Sequence, residues 1–216
     1  MIVREFSFPE KNLHYFVGIN SLISKNLKLN KVFELANTIK SSYENIMIQF
    51  FNRNLILNSN HVFYASYHTF KAFNSATNIS NKKSIEFLIY LAANRQIKRA
   101  IEDFGINDLL LHESVLDYCI ISQKNNLNII TEHLLKLFNA KAKETNLNDF
   151  SIEKYNKIKD YFEFNENQID IVLKSHGIIL DGINPNNSNI NNLYLAIEDL
   201  LCEKMALISI EKSSND

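Results

Sequence analysis

One stretch, NISNKKSIEFLIYLAANRQIKRAIEDFGIND from Asn78 to Asp108, constrains the fold more than any other. Ile85, Leu88, Ile89, Ala92, Gln96 and Ala100 project to one side of a helix at about 100° per residue. The pattern predicts one long helix over residues 80–104, the longest of the chain. Gly105 follows at once, where a left-handed helix end favours glycine.

The rest of the chain supplies strands and helices for that stripe to pack on. Ile2–Phe8, Ile46–Phe51 and Val115–Ser122 read as strands. Lys31–Ser42 and Ser59–Asn74 have helical spacing, the second with Asn58 or Ser59 as cap. Thr131–Phe138, Ser151–Phe162 and Asn165–Ser175 read as short helices, and Asn192–Met205 as a final amphipathic one. Ala206–Ile210 is expected to close the sheet as a last strand. Asn139–Asn148 reads as an exposed linker and Gly182–Asn192 as an Asn-rich loop. The interleaving is irregular and no repeat is present. The expected class is α+β (mixed α/β): a single domain over residues 1–216, with a mixed β-sheet flanked by helices. With only 4 glycines and 2 prolines, asparagine has to take many turn and cap positions.

Composition narrows the function. A chain of 216 residues that is 46% hydrophobic can bury one real core. A net charge of -1 gives no global field toward nucleic acid or an acidic membrane, so any such contact has to be local. Cys119 and Cys202 each sit in an apolar run, as buried thiols of a reducing compartment do. The N-terminus has no signal-peptide core, and no apolar run is long enough to span a bilayer, so a soluble, cytoplasmic protein is expected. The glycines, at 18, 105, 177 and 182, cannot form a phosphate-binding loop. His61 and His68 lie two helical turns apart, too far to share a zinc unaided. No cofactor, no metal site and no catalytic residue are expected.

The local feature is basic. Between Lys71 and Phe104 stand Lys71, Lys82, Lys83, Arg95, Lys98 and Arg99 against Glu86, Glu102 and Asp103, an excess of +3. With Tyr64, Tyr67, Phe87 and Tyr90 nearby, such a surface suits a single-stranded nucleic-acid end, gripped by phosphate contacts and base stacking. The plainer reading is a solvated basic face paired to acidic neighbours. Gln96 falls at the centre of the apolar stripe, where a buried amide needs a hydrogen-bond partner. Arg95 falls at its margin.

The segment NHVFYASYHTFKAFNSATNISNKKSIEFLIYLAANRQIKRAIEDFGIND resembles the central region of the small kinase-binding subunit of the KEOPS complex, the PRPK-binding-protein (TPRKB) family. The matching residues are His61, Ala65, Ile79, Glu86, Leu88, Arg95, Gln96, Ile97, Ala100, Ile101 and Gly105. LAIEDLLCEKMALISIEK is similar to the family's C-terminal helix and last strand. Ile79-Ser80-Asn81 stands where the family has Ile-Ala-Arg, so an arginine is lost there or replaced by Lys82. The chain is longer than compact archaeal members, with the surplus expected near 139–164 and 182–192.

The resemblance implies a non-catalytic subunit of KEOPS, which makes the threonylcarbamoyl modification of tRNA. It implies binding to the small atypical kinase/ATPase of that complex, recruitment of tRNA through its single-stranded 3′ CCA end, and indirect contact with the other KEOPS subunits. On this reading Lys82, Lys83, Arg95, Gln96 and Arg99 meet tRNA. Part of the apolar surplus of the C-terminal helix (Leu193, Ile197 and Leu201) faces the kinase. Two other readings stand beside it: a small-molecule enzyme with a pocket around Gln96 and His61, and a protein-only scaffold.

Overall fold

The computed structural model describes residues 1–180, 182–186 and 188–210. Asn187, inside the expected Asn-rich loop, lies outside them.

Four strands form the body of a sheet in the order β1-β2-β4-β3: β1 is Ile2–Phe8, β2 Leu13–Ile23, β3 Ile46–Phe51 and β4 Val115–Ser122. A short β5, Lys141–Lys143, pairs with the end of β2. The α+β class holds, but every pairing is antiparallel where a mixed sheet was expected.

The strands bury both faces. In β4, Leu116, Tyr118 and Ile120 point into one core, while Cys119 and Ile121 point into the other. Strand β3 alternates likewise, with Ile48 and Phe50 on the first side and Met47 and Phe51 on the second. Two helices cover the first face: α1, Leu29–Ser42, through Val32, Leu35 and Ile39, and α6, Leu127–Leu137, through Leu127, Ile130 and Leu134. The second face carries the larger core. It is built on α2 (Ser59–Asn74), α3 (Lys83–Leu91) and α9 (Ile190–Ile210), with α4 (Ile97–Phe104), α7 (Ile152–Phe162) and α8 (Glu166–Ser175) around them. A one-turn α5, Asp108–Leu111, precedes β4.

The expected long helix over 80–104 is two helices. α3 stops at Leu91 through a Schellman closure: Ala93 N–H donates to the Tyr90 carbonyl and Asn94 N–H to that of Ile89. Ala93 holds the left-handed position at φ 42°, where glycine is usual. Asn94 then accepts from Gln96 N–H and starts the next turn. The longest described helix is therefore α9, which runs on through Ala206–Ile210 where a strand was expected. Asparagine does take turns in this glycine-poor chain. Of the eight described non-glycine residues with positive φ, Asn12, Asn26, Asn45 and Asn139 are four.

Gly105 ends α4 in an extended conformation, φ -74°, and not in the expected left-handed one. Its requirement is space, since a Cβ there would meet the Ile101 carbonyl oxygen at 2.3 Å. Gly105→Ala therefore has to displace backbone beside the buried Phe104. Urea unfolding should show a loss of about 2 kcal/mol, whereas an unchanged midpoint would mean that this helix end yields freely.

Candidate functional site

The N-terminus of α2 is locked to the end of α3 by a histidine. Asn58 caps α2 by accepting from His61 N–H, which turns the His61 ring inward. Its Nδ1 accepts from Leu57 N–H at 3.1 Å, so Nε2 carries the proton and donates to the Leu91 carbonyl at 2.9 Å. The ring is fully buried, and burial holds its pKa down at about 4. The ring is closed off from solvent while Gln96 is exposed, so among the described residues the two do not share an open pocket. His61 is a joint between two helices.

His68, two turns further along α2, stacks on Tyr90 with ring centroids 5.4 Å apart and its pKa is also held down at about 4 by burial. Both histidines stay neutral in the folded chain while the unfolded chain takes a proton below about 6.5. Stability is therefore full above that value and falls as the pH drops from about 6.5 toward 4. At pH 5 each histidine should cost about 2 kcal/mol relative to pH 7. Urea midpoints at the two pH values check this, and His68→Phe should remove its share of the loss.

The expected tRNA-binding residues fall into two groups at opposite ends of α3, about 13 Å apart along its axis. Lys82 and Lys83 open the helix. The Lys83 ammonium lies over the rings of Phe70 and Phe73, 4.9 and 5.6 Å from their centroids, and burial lowers its pKa. The loop before it is fixed from inside the protein, because the buried Glu86 carboxylate accepts from the backbone N–H groups of Ile79 and Ser80. Phe87 and Tyr90 are fully buried and cannot stack on a base, while Tyr64 and Tyr67 keep partial exposure.

Arg95, Gln96 and Arg99 form the second group. Arg95 Nη1 donates to the Ile208 carbonyl near the end of α9 at 3.0 Å, so Arg95 pairs with backbone and not with Glu86 or Glu102. Gln96 is an exposed helix-cap residue and not a buried member of an apolar stripe. Between them and α9 lies a groove of about 440 Å³, lined by Arg95, Gln96, Asn94, Lys204 and Leu207. Arg99 lies over the Tyr161 ring at 5.3 Å and 3.5 Å from Asp103, and Lys98 lies 3.8 Å from Glu102. Such exposed pairs are weak and exchange readily. Lys204, which lines the same groove and donates to the Phe162 carbonyl, escaped the sequence reading. It stands more than a hundred residues from Arg95, and no local spacing connects them.

The expected kinase-facing residues are not at the surface. Leu193 and Ile197 are 0% exposed and Leu201 is 1% exposed, packed in the core of the second face. α9 has an apolar surplus because α2, α3, α7 and α8 all pack against it. Among the described residues, the large apolar side chains it leaves outside are Leu195 and Leu207. Among the described residues no cluster of three metal-ligating side chains occurs, and no helix is long and apolar enough to cross a membrane.

The fold and its surfaces define an α+β domain whose buried polar side chains are spent on joining helices. Sequence comparison gives the family. A family model described as kinase binding protein CGI-121 matches residues 25–209, and the chain belongs to that family. The match spans α1 to α9 and leaves out β1 and β2. No curated protein matches the chain.

Proposed function

We propose that this kinase-binding protein is a non-catalytic KEOPS subunit in tRNA threonylcarbamoyladenosine modification. It binds the small atypical kinase/ATPase of the complex and recruits tRNA through the single-stranded 3′ CCA end. The observation that carries the reading is the family match across residues 25–209, with its description as a kinase-binding protein. The groove beside Arg95 and Gln96 supports the tRNA part. It combines two cations with an apolar wall at Leu207, and its basic side chains are anchored on backbone carbonyls that leave further N–H groups for phosphate. Lys82 and Lys83 supply a second set of cations at the other end of α3.

The kinase contact moves from Leu193, Ile197 and Leu201 to the described apolar residues that α9 leaves exposed, Leu195 and Leu207, the second of which it shares with the wall of the groove. An exposed Leu on a helix otherwise rich in buried ones is a fit anchor for an apolar interface. Leu195→Glu or Leu207→Glu should weaken co-elution with the kinase at least tenfold with the fold intact. Leu193→Glu should instead unfold the chain, because it buries a charge. Normal co-elution of both surface variants would remove α9 from the interface.

A pull-down from the native organism, with and without nuclease, tests the assembly, and tRNA binding separates the subunit from a protein-only scaffold. Binding should weaken with salt and should need an intact CCA end. Lys82→Glu/Lys83→Glu should bind intact tRNA less well, and Gln96→Glu/Arg99→Glu should lose the difference between intact and trimmed tRNA. If trimming changes nothing and both double variants bind normally, the tail-binding assignment fails and the scaffold reading replaces it.

A further inference from the structure

A second cleft lies away from all of these residues, between the turn at Arg53–Leu55 and the start of α7. It has a volume of about 330 Å³ and is lined by Arg53, Lys154 and Lys157, by the carboxylates Asp149 and Glu153, and by Asn54 and Asn146. That volume is in the range of small-molecule pockets.

The cations are built in, whereas the carboxylates are not. Arg53 is held by the buried Asp117, with Nε and Nη2 donating to its two oxygens at 2.6 Å each. That engages one edge of the planar guanidinium and leaves the Nη1 edge for another acceptor. Lys154 donates to the Leu147 carbonyl at 2.7 Å, which fixes its ammonium between the two walls. Among the described residues it forms no ion pair. Burial and the charge of Arg53 press its pKa down to about 8, against the opposing influence of Asp149. Lys157 follows three residues later on α7, on the same face. Asp149 and Glu153 are exposed and free to turn into water, and Asn54 and Asn146 add amide donors. Two half-buried cations brought toward each other, with unspent N–H groups facing a cavity, are an arrangement that an anion relieves.

We propose that the cleft between Arg53 and Lys154 binds a small phosphate-type oxyanion, free phosphate, pyrophosphate or the phosphate of a small ester, with Lys154 and Arg53 as its principal donors and Lys157 at the rim. The site is independent of the kinase and tRNA reading, because none of its residues belongs to the surfaces assigned there.

The test uses the full chain in phosphate-free buffer, with pyrophosphate as the probe. Lys154 is followed by NMR of its side chain while pH is varied. The groups facing it are Arg53, Asp149, Glu153 and Lys157, so Glu153→Gln serves as a control for rim charge. Pyrophosphate should raise the Lys154 pKa by at least one unit. Calorimetry should show binding that is tenfold weaker in Lys154→Met and several-fold weaker in Lys157→Gln, with unchanged thermal midpoints. Arg53 is left intact, since its loss would strand the buried Asp117. A Lys154 titration that pyrophosphate does not move, or equal affinity in Lys154→Met, overturns the proposal. So does a short single-stranded oligonucleotide that shifts Lys154 when pyrophosphate does not, because that outcome assigns the cleft to nucleic acid.

Discussion

The burial of α9 is the constraint on which this side of the molecule depends. Leu193, Ile197, Leu201 and Met205 fill the core between α2, α3, α7 and α8, all of which pack against α9. Polar contacts set its position. Glu198 accepts from Asn58 and Asn60 at the start of α2 and from Tyr64 one turn later. Arg95 holds the Ile208 carbonyl at the other end. The groove beside Arg95 exists because that end of α9 is held against the link between α3 and α4. A charge placed in the buried stripe would therefore remove groove and fold together.

The same economy runs through the polar interior. His61 joins α2 to α3, Glu86 gathers the loop before α3, and Asp117 fixes Arg53 with help from Ser21 and Thr145. Each of these three groups has its hydrogen bonds met inside the protein, as burial demands. What remains for other molecules is outside: the ends of α3, the groove along α9 and the cleft beside α7. Surfaces of this kind suit the binding of other molecules, in agreement with a family described as kinase-binding.

Much of the fold was legible where one face of an element is buried. The bounds of α2 were read to the residue because its apolar positions keep a helical period, and of its two cap candidates Asn58 is the one that caps it. α7 and α8 were read with their first residues one too early, since Ser151 and Asn165 are their N-caps. β2 was missed although it is the strand that touches β1, β4 and β5. Covered on both faces, LHYFVGINSLI shows no alternation to read. The break at Ala93 was hidden because an alanine occupies a glycine's place, and Asn94 was its one local sign. The continuation of α9 to Ile210 was lost because a short apolar run reads equally as strand or helix. Of the site, Arg95 and Gln96 were placed by their motif. The groove was not, since its other wall, Lys204 and Leu207, comes from the far end of the chain. The burial of Leu193, Ile197 and Leu201 was hidden for a related reason, as a surplus of apolar residues on one helix can mean several neighbours as well as an exposed patch.

The central claim is that the folded chain binds the small KEOPS kinase directly. Isothermal titration of the purified kinase/ATPase with this chain, both free of nucleic acid, tests it most directly. The account predicts a saturable one-to-one complex with negative heat-capacity change, the mark of apolar surface being buried. A titration without heat at several temperatures, together with separate elution of the two proteins, would contradict it.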